Sequence, residues 1–425
     1  MDRAGKTQNL WQTTCAEPFE APALAEDIAA DLIVIGGGFT GCSAALTAAQ
    51  SGMSVVLIEA ETVGHGGSGR NVGLVNAGLW LPPDAVCDEL GQEAGTRLNT
   101  ALAKGPDTVF DLIEEHGIEC EPVRGGTLHC AHAPGGFSEL QERHRQQAER
   151  GAPVRLLDGE EARSHSGITG IHGALHDARA GTIQPLAYAK GLARAAQEAG
   201  ARVFENTRAM RIARDADQWR VEAAGGTLTA PRLLVATNAY HQPFEGAELP
   251  TLTPVNFFQL ATAPLGHNQA ARILPGGEGC WDTGKVMSAF RTDRAGRVIF
   301  GAMGLPDALG LHEAWARRAF SRRFPDVAEH PFEHFWSGRI AMTSDHLPKI
   351  MRIGQGGYAI FGYSGRGIGP GTLFGDAIAR ALMSGDEGGL PIAPVNSHKE
   401  RLTWAKGPFF EVAARLIHGV SARLR

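Results

Sequence analysis

The chain has 425 residues, 43% of them hydrophobic and 20% charged, with a formal net charge of −6. That length allows two or three domain-sized units of ordinary globular composition, and no basic surplus marks a nucleic-acid partner. The 55 glycines fall in clusters without a period, which points to functional turns.

The stretch up to Pro22 lacks the apolar core of a secretory signal. The most apolar window, Leu32 to Ala49, is interrupted by glycines and polar Thr40, Ser43 and Thr47 and is short for a membrane span. No transmembrane segment is expected. Six cysteines without a C-x-x-C pair do not make a disulfide framework at this length. These features together predict a cytoplasmic protein.

Residues 31–35, DLIVI, read as a buried parallel strand. Gly36-Gly37-Gly38-Phe39-Thr40-Gly41 follows as G-x-G-x-x-G, then the small-residue helix CSAALTAAQ, with Gly52 as its stop. The next strand, SVVLIEA (54–60), ends in Glu59 and Ala60. Strand, glycine turn, helix, strand and terminal acid make a dinucleotide-binding unit. Gly36 allows the tight turn, Gly38 lets backbone approach a pyrophosphate, and Gly41 lets helix and strand pack closely. Phe39 and Thr40 open the helix, whose free N–H groups suit phosphates. Glu59 suits ribose hydroxyls and argues against a 2′-phosphate.

A second glycine loop, GHGGSGRNVGLVNAG (64–78), comes directly after that strand. With VVLIEA, the run GSGRNVG resembles the D-amino-acid-oxidase-like (DAO) superfamily of FAD-dependent amine oxidoreductases, whose loop reads roughly G-x-G-A-S-G-R-N-G-G. Gly67 stands where Ala is usual and Val72 where Gly is usual. The resemblance implies FAD as cofactor, contacted here by Gly67, Ser68, Arg70, Asn71 and Val72, with Arg70 opposite the pyrophosphate.

Residues 95–118 have apolar residues at helical spacing, with His116-Gly117 as a stop. His129 and His132 would face opposite sides of a strand, so no metal site is expected there. ARVFENTRAMRIARD and DQWRVEAAGGTLTA read as strands with a hairpin at Gly225-Gly226. PRLLVATNAYH (231–241) is an apolar strand similar to the family strand that closes on the cofactor domain, which implies Thr237 and Asn238 as contacts. The backbone around Met210 would face the adenine. KVMSAFRTDRAGRVIFGAM is an alternating hairpin turning at 294–297.

FWSGRIAMTSDHLPKIMRIG (335–354) is similar to the family's C-terminal segment. After it, GGYAIFGYSGRGIGPGT gives a strand and a third glycine turn, with a helix expected from Thr372 to Leu382 and Pro370 at its approach. In the family this turn lies beside the flavin ring. A helix N-terminus there would stabilise negative charge on reduced flavin. Gly365, Gly367, Ile368, Gly369 and Thr372 are the implied flavin contacts. Arg366 replaces the His of the family's G-Y-S-G-H-G pattern. It could bind an anionic substrate group, support the flavin, or face solvent. His65, Tyr363 and Arg366 are candidates for the catalytic pocket, with Arg291 or Lys285 as further roof residues. Lys285 could promote reaction with oxygen.

The resemblance implies a mixed α/β (α+β) fold: a Rossmann-like FAD-binding domain of the glutathione-reductase type and a substrate domain on a mixed or antiparallel sheet. The expected cofactor domain is discontinuous, over about 28–90, 155–240 and 336–400. The expected substrate domain spans 91–154 and 241–335, with a C-terminal helix over 401–425. In that helix Phe409, Val412, Leu416, Ile417 and Val420 fit one stripe, which could pack on its own body or meet a membrane or a partner subunit. The implied reaction is hydride transfer from the C–N carbon of a small amine or amino acid to flavin N5, with hydrolysis of the imine to an aldehyde or keto product. Within the family, NLW-x-x-T and the loops resemble the γ-glutamylputrescine oxidases, and GRNVG with GRGI is similar to the large subunit of taurine dehydrogenase. Electrons could go to O2 or to a carrier, with the chain as a dehydrogenase subunit in a complex or a homo-oligomer.

Overall fold

Leu32–Ile35 and Val55–Ile58 are buried at every position and run parallel to each other. Their side chains alternate between two cores. Leu32, Val34, Val55 and Leu57 enter a core shared with helices, while Ile33, Ile35, Val56 and Ile58 enter one on the opposite face, as the period of a strand requires. These strands sit inside a six-stranded sheet ordered Lys349–Gly354, Gly357–Phe361, Arg232–Val235, Leu32–Ile35, Val55–Ile58, Arg202–Phe204. Its strands run parallel except at the Lys349–Gly354 edge, which is antiparallel. The structure, a computed structural model, describes residues 9–247, 249–305 and 310–420.

The second core lies between this sheet and a four-stranded one built from Ile28–Ala29, Gly226–Ala230, Gln218–Ala223 and Ala209–Asp215. The expected hairpin at Gly225-Gly226 is present, with Gly225 at φ +92. An eight-stranded mixed sheet forms the other half of the molecule, ordered Phe332–Met342, Thr253–Thr262, Val298–Met303, Ser288–Thr292, Gly279–Asp282, Thr127–Cys130, Gly173–Asp177, Val154–Asp158. The expected hairpin around 294–297 joins two of its strands. A third core holds this sheet against helix Leu311–Arg323. The fold is therefore the mixed α/β arrangement expected.

Two edges of the eight-stranded sheet are built by long-range pairing. Gly173–Asp177 pairs with Thr127–Cys130 on one side and with Val154–Asp158 on the other, and Phe332–Met342 pairs with Thr253–Thr262. Only the long-range pairing assigns these strands to their sheet.

Helix Phe39–Gln50 is buried along almost its whole length. It packs against Pro185–Glu198 and Ile368–Ser384, and its small side chains let both approach. A Cβ on Gly375 would fall inside contact distance of the Thr40 carbonyl. The third-turn helix starts at Ile368, four residues before the expected Thr372. Pro370 thus lies in the first turn, where its missing N–H has no partner to lose.

The C-terminal helix Thr403–Val420 docks on Leu311–Arg323 through His418, whose Nδ1 is 2.6 Å from Nδ1 of His312. The ring of Trp315 stacks on His418 at 3.9 Å. Of the expected stripe, Phe409, Val412 and Leu416 point outward, because Ala414 and His418 form the inner face. The side chain of Val420, residues 421–425 and residues 1–8 lie outside the described residues. Among the described residues no helix is long and apolar enough to cross a membrane, and all six cysteines are free thiols.

Burial, then the charges of His312 and Arg318, pushes His418 down to about 3. In the unfolded chain it takes a proton near its ordinary value of about 6.5. The stability this neutral pair contributes is therefore present above pH ~6.5 and is lost as pH falls toward 3. Each pH unit costs about 1.4 kcal/mol per proton, or roughly 2 kcal/mol between pH 6.5 and 5. Thermal melts should show this decline, and a His418→Leu variant should show a shallower one. An unchanged slope would refute the assignment.

Candidate active site

A cavity of about 430 Å³ lies between the six-stranded sheet and the eight-stranded sheet. All three glycine turns reach it. Gly36, Gly38, Phe39 and Thr40 line it from the first; His65, Gly67, Ser68, Asn71 and Val72 from the second; Gly365, Arg366, Gly367 and Ile368 from the third. Glu59, Ala60, Thr237, Asn238 and Tyr363 complete the expected lining.

The first turn is built for close backbone approach. Gly36 sits at φ +113, and an added Cβ would lie 3.0 Å from the backbone of Ala236. A Cβ on Gly38 would lie 2.9 Å from Ser68 Oγ, which accepts the Phe39 N–H at 3.2 Å. No side chain caps the N-terminus of Phe39–Gln50 or of Ile368–Ser384, and neither has an acidic residue in its first turn. Two uncapped helix N-termini thus open on one cavity, an arrangement suited to two separate anionic parts of one ligand.

Glu59 closes another part of the cavity. Its carboxylate accepts the N–H of Gly37 at 2.7 Å and of Glu61 at 3.1 Å. Burial raises its pKa, and these backbone donors oppose the rise. Tyr363 hydrogen-bonds Thr40 at 2.7 Å, and burial pushes its phenol well up, so it stays a neutral hydroxyl. Burial, then Arg70, lowers the pKa of His65, which keeps its ring neutral at pH 7. Asn238 holds two turns together: its Oδ1 accepts the Gly362 N–H at 3.0 Å.

Several expected residues do not line the cavity. Arg70 is turned away, donating to the carbonyls of His65 at 2.8 Å and Ser337 at 3.2 Å. Met210 is 53% exposed. A bulge between Ala209 and Arg211 turns it out and leaves Ala209 in the lining. Gly41 and Gly369 serve packing. A Cβ on Gly41 would overlap the Gly36 carbonyl, and one on Gly369 would meet Gly105. Thr372 is fully buried and accepts Ser43 Oγ on its carbonyl at 2.8 Å, tying two helices together. Arg291 is buried on the carbonyls of Gly73, Ile183 and Thr292, which fixes backbone outside the pocket. Lys285 does line the cavity.

Beyond Lys285, most of the roof carries no local signal in the sequence. Asn76, Trp80, Gln259, Trp281 and Met287 all line the cavity. Gln259 is 5% exposed, and its Oε1 has no partner among the described residues. Polar Gln259 between the apolar residues Phe257, Phe258, Leu260 and Ala261 was the available signal; the pairing that aims it inward was not.

Residues 31–381 match the model of the DAO family, described as FAD dependent oxidoreductase. The chain belongs to this family. Its cofactor is therefore FAD, and the turns, uncapped helices and terminal Glu59 fit such an elongated anionic group. The chain is 33% identical over 367 residues to the probable oxidoreductase OrdL of Rhizobium meliloti, covering 84% of each. It is 28% identical to γ-glutamylputrescine oxidoreductase of Escherichia coli, covering 87% of this chain and 86% of that one. Its fold is similar to that of glycine oxidase from Geobacillus kaustophilus, with a TM-score of 0.72 and 20% identity over 87% of this chain and 99% of that chain.

Proposed function

We propose that this FAD-dependent oxidoreductase oxidises the C–N bond of a small amine or amino acid, and that the resulting imine is hydrolysed to an aldehyde or keto product. The observation that carries this reading is the meeting of two uncapped helix N-termini on one cavity roofed by Trp281, Lys285 and Gln259. The relative γ-glutamylputrescine oxidoreductase of Escherichia coli agrees with this reading by its name.

Bound FAD would supply the hydride acceptor. Gly36, Gly38 and the start of Phe39–Gln50 would hold its pyrophosphate, and Glu59 its ribose. The Ile368–Ser384 N-terminus, with Gly365 and Gly367, would stabilise negative charge gained on reduction. Gln259 Oε1, buried without a partner among the described residues, would accept an amine N–H and orient the substrate. Neutral His65 would be available to accept a proton from an ammonium substrate, whereas Tyr363 is held as a hydroxyl. The electron acceptor is O2 or a carrier, and free buried thiols fit a cytoplasmic setting.

The purified protein should show a flavin absorption band. An amine and amino-acid panel, added without oxygen, should bleach it, and peroxide release against an artificial acceptor separates oxidase from dehydrogenase. A flavin band that no amine or amino acid bleaches would defeat the reading.

A further inference from the structure

We propose that the outer face of helix Thr403–Val420 is a docking surface for an anionic lipid bilayer, holding the protein on a membrane without crossing it.

The helix has two unlike faces. Gly407, Ala414 and His418 are buried against the body of the protein. On the other side Trp404, Phe409, Val412 and Leu416, with Leu402 just before the helix, are each more than half exposed. Trp404, exposed Pro408 and Val412 follow one i, i+4 row, and Phe409, Val412 and Leu416 follow steps of three and four. Residues at these spacings are neighbours on a helix surface, so together they make one continuous apolar stripe. Leu305, also exposed, is held beside the helix by the bond from its N–H to Glu411. Elsewhere among the described residues the exposed large hydrophobics are the single residues Val123 and Met210. Isolated apolar residues need no partner, whereas a contiguous stripe marks a contact surface.

The charge around the stripe says what covers it. The whole chain carries −6, yet residues 399–425 hold Lys399, Arg401, Lys406, Arg415, Arg423 and Arg425 against only Glu400 and Glu411. Both acids are engaged on the inner side. Glu411 accepts Asn256 Nδ2 and the Leu305 N–H, each at 2.9 Å. Glu400 is 9% exposed and accepts the Ser344 N–H at 2.9 Å. Lys399, Arg401 and Arg415 are exposed. Among the described residues of this segment, the exposed charges are therefore all positive.

Apolar side chains flanked by cations suit an anionic bilayer. The indole of Trp404 and the ring of Phe409 fit the boundary between headgroups and acyl chains, and the cations fit lipid phosphates. A second copy of this chain fits less well. An antiparallel pairing centred on Phe409 would face Leu402 with Leu416, and so bring Arg401 toward Arg415, like charge against like. No helix among the described residues is able to span a bilayer, so the attachment is to the surface.

The test is sedimentation of the holoenzyme with vesicles of phosphatidylcholine alone and of equal parts phosphatidylcholine and phosphatidylglycerol. The mixed vesicles should bind about tenfold or more tighter than the neutral ones, and the difference should shrink as salt is raised. Arg401→Gln should weaken binding to the mixed vesicles roughly fivefold, the worth of one basic residue at an anionic surface. A double variant, Phe409→Ser with Leu416→Ser, should weaken it roughly 100-fold or more. Both of its side chains are exposed, so flavin content and melting temperature should stay those of the parent protein.

No binding to either vesicle, or equal binding to both at every salt concentration, would overturn the proposal with the parent protein alone. Undiminished vesicle binding in a folded double variant would place the lipid contact elsewhere on the chain and would also overturn it. A concentration-dependent dimer that the double variant dissolves, without vesicle binding, would give the face to a second copy instead.

Discussion

Gly41→Val is expected to yield a protein that neither retains FAD nor oxidises any donor. An added Cβ at position 41 would penetrate the carbonyl oxygen of Gly36, with Val34 Cγ1 at 3.2 Å on the same side. The obstacle is backbone, so no rotamer change relieves it. Gly36 cannot retreat, because it lies at φ +113 against the Ala236 backbone. The helix start must therefore unwind from the strand, at a cost of about 3 kcal/mol or more. The flavin-to-protein ratio and the melting temperature both read the outcome. Gly38→Ala should be milder, since its Cβ meets only Ser68 Oγ, a side chain able to rotate. Full flavin content in Gly41→Val would contradict the packing role.

Asp282→Ala is expected to destabilise the protein by about 3–5 kcal/mol, the usual cost of orphaning a buried ion, and to impair turnover. Asp282 binds Arg323 at 2.5 Å with both side chains largely buried. Its other oxygen accepts the N–H of Gly284 at 2.9 Å and of Ser288 at 3.2 Å. These bonds clip residues 283–287 into a tight loop that places Lys285 and Met287 in the cavity. A double variant, Asp282→Ala with Arg323→Met, should recover part of the lost melting temperature by removing the orphaned charge. It should not recover kcat, because the loop stays unclipped. Recovery of both would mean that the loop does not depend on Asp282.

The parts of the fold legible in the sequence were local. LIVI, the turn at 36–41, the small-residue helix and VVLI follow one another within reach of a single crossover. Each carries its own signal in apolar run, glycine spacing or helix stop. The hairpins at 225–226 and 294–297 were legible for the same reason. The glycine turns by themselves indicated a dinucleotide; its flavin character came from the resemblance that their motifs carry, and the family match agrees with it.

The long-range strand pairing and most of the roof were not legible. Val154–Asp158 reads as an ordinary strand, and nothing local says which sheet completes it. Arg70 carried the signature of a phosphate ligand, yet two carbonyls close enough to satisfy its fork turn it outward. Arg291 looked like a pocket cation and proved to be a buried clamp for backbone oxygens. Arg366 alone allowed three environments.

By itself, the sequence determined the cofactor-binding turns, because a backbone that must approach another group closely leaves its mark in glycine at fixed spacing. Only the tertiary structure decided what the cavity faces. Trp281 and Arg366 come from a strand and a turn far apart in the chain. The guanidinium comes to lie 4.4 Å from the ring centroid only after long-range strand pairing has closed the eight-stranded sheet.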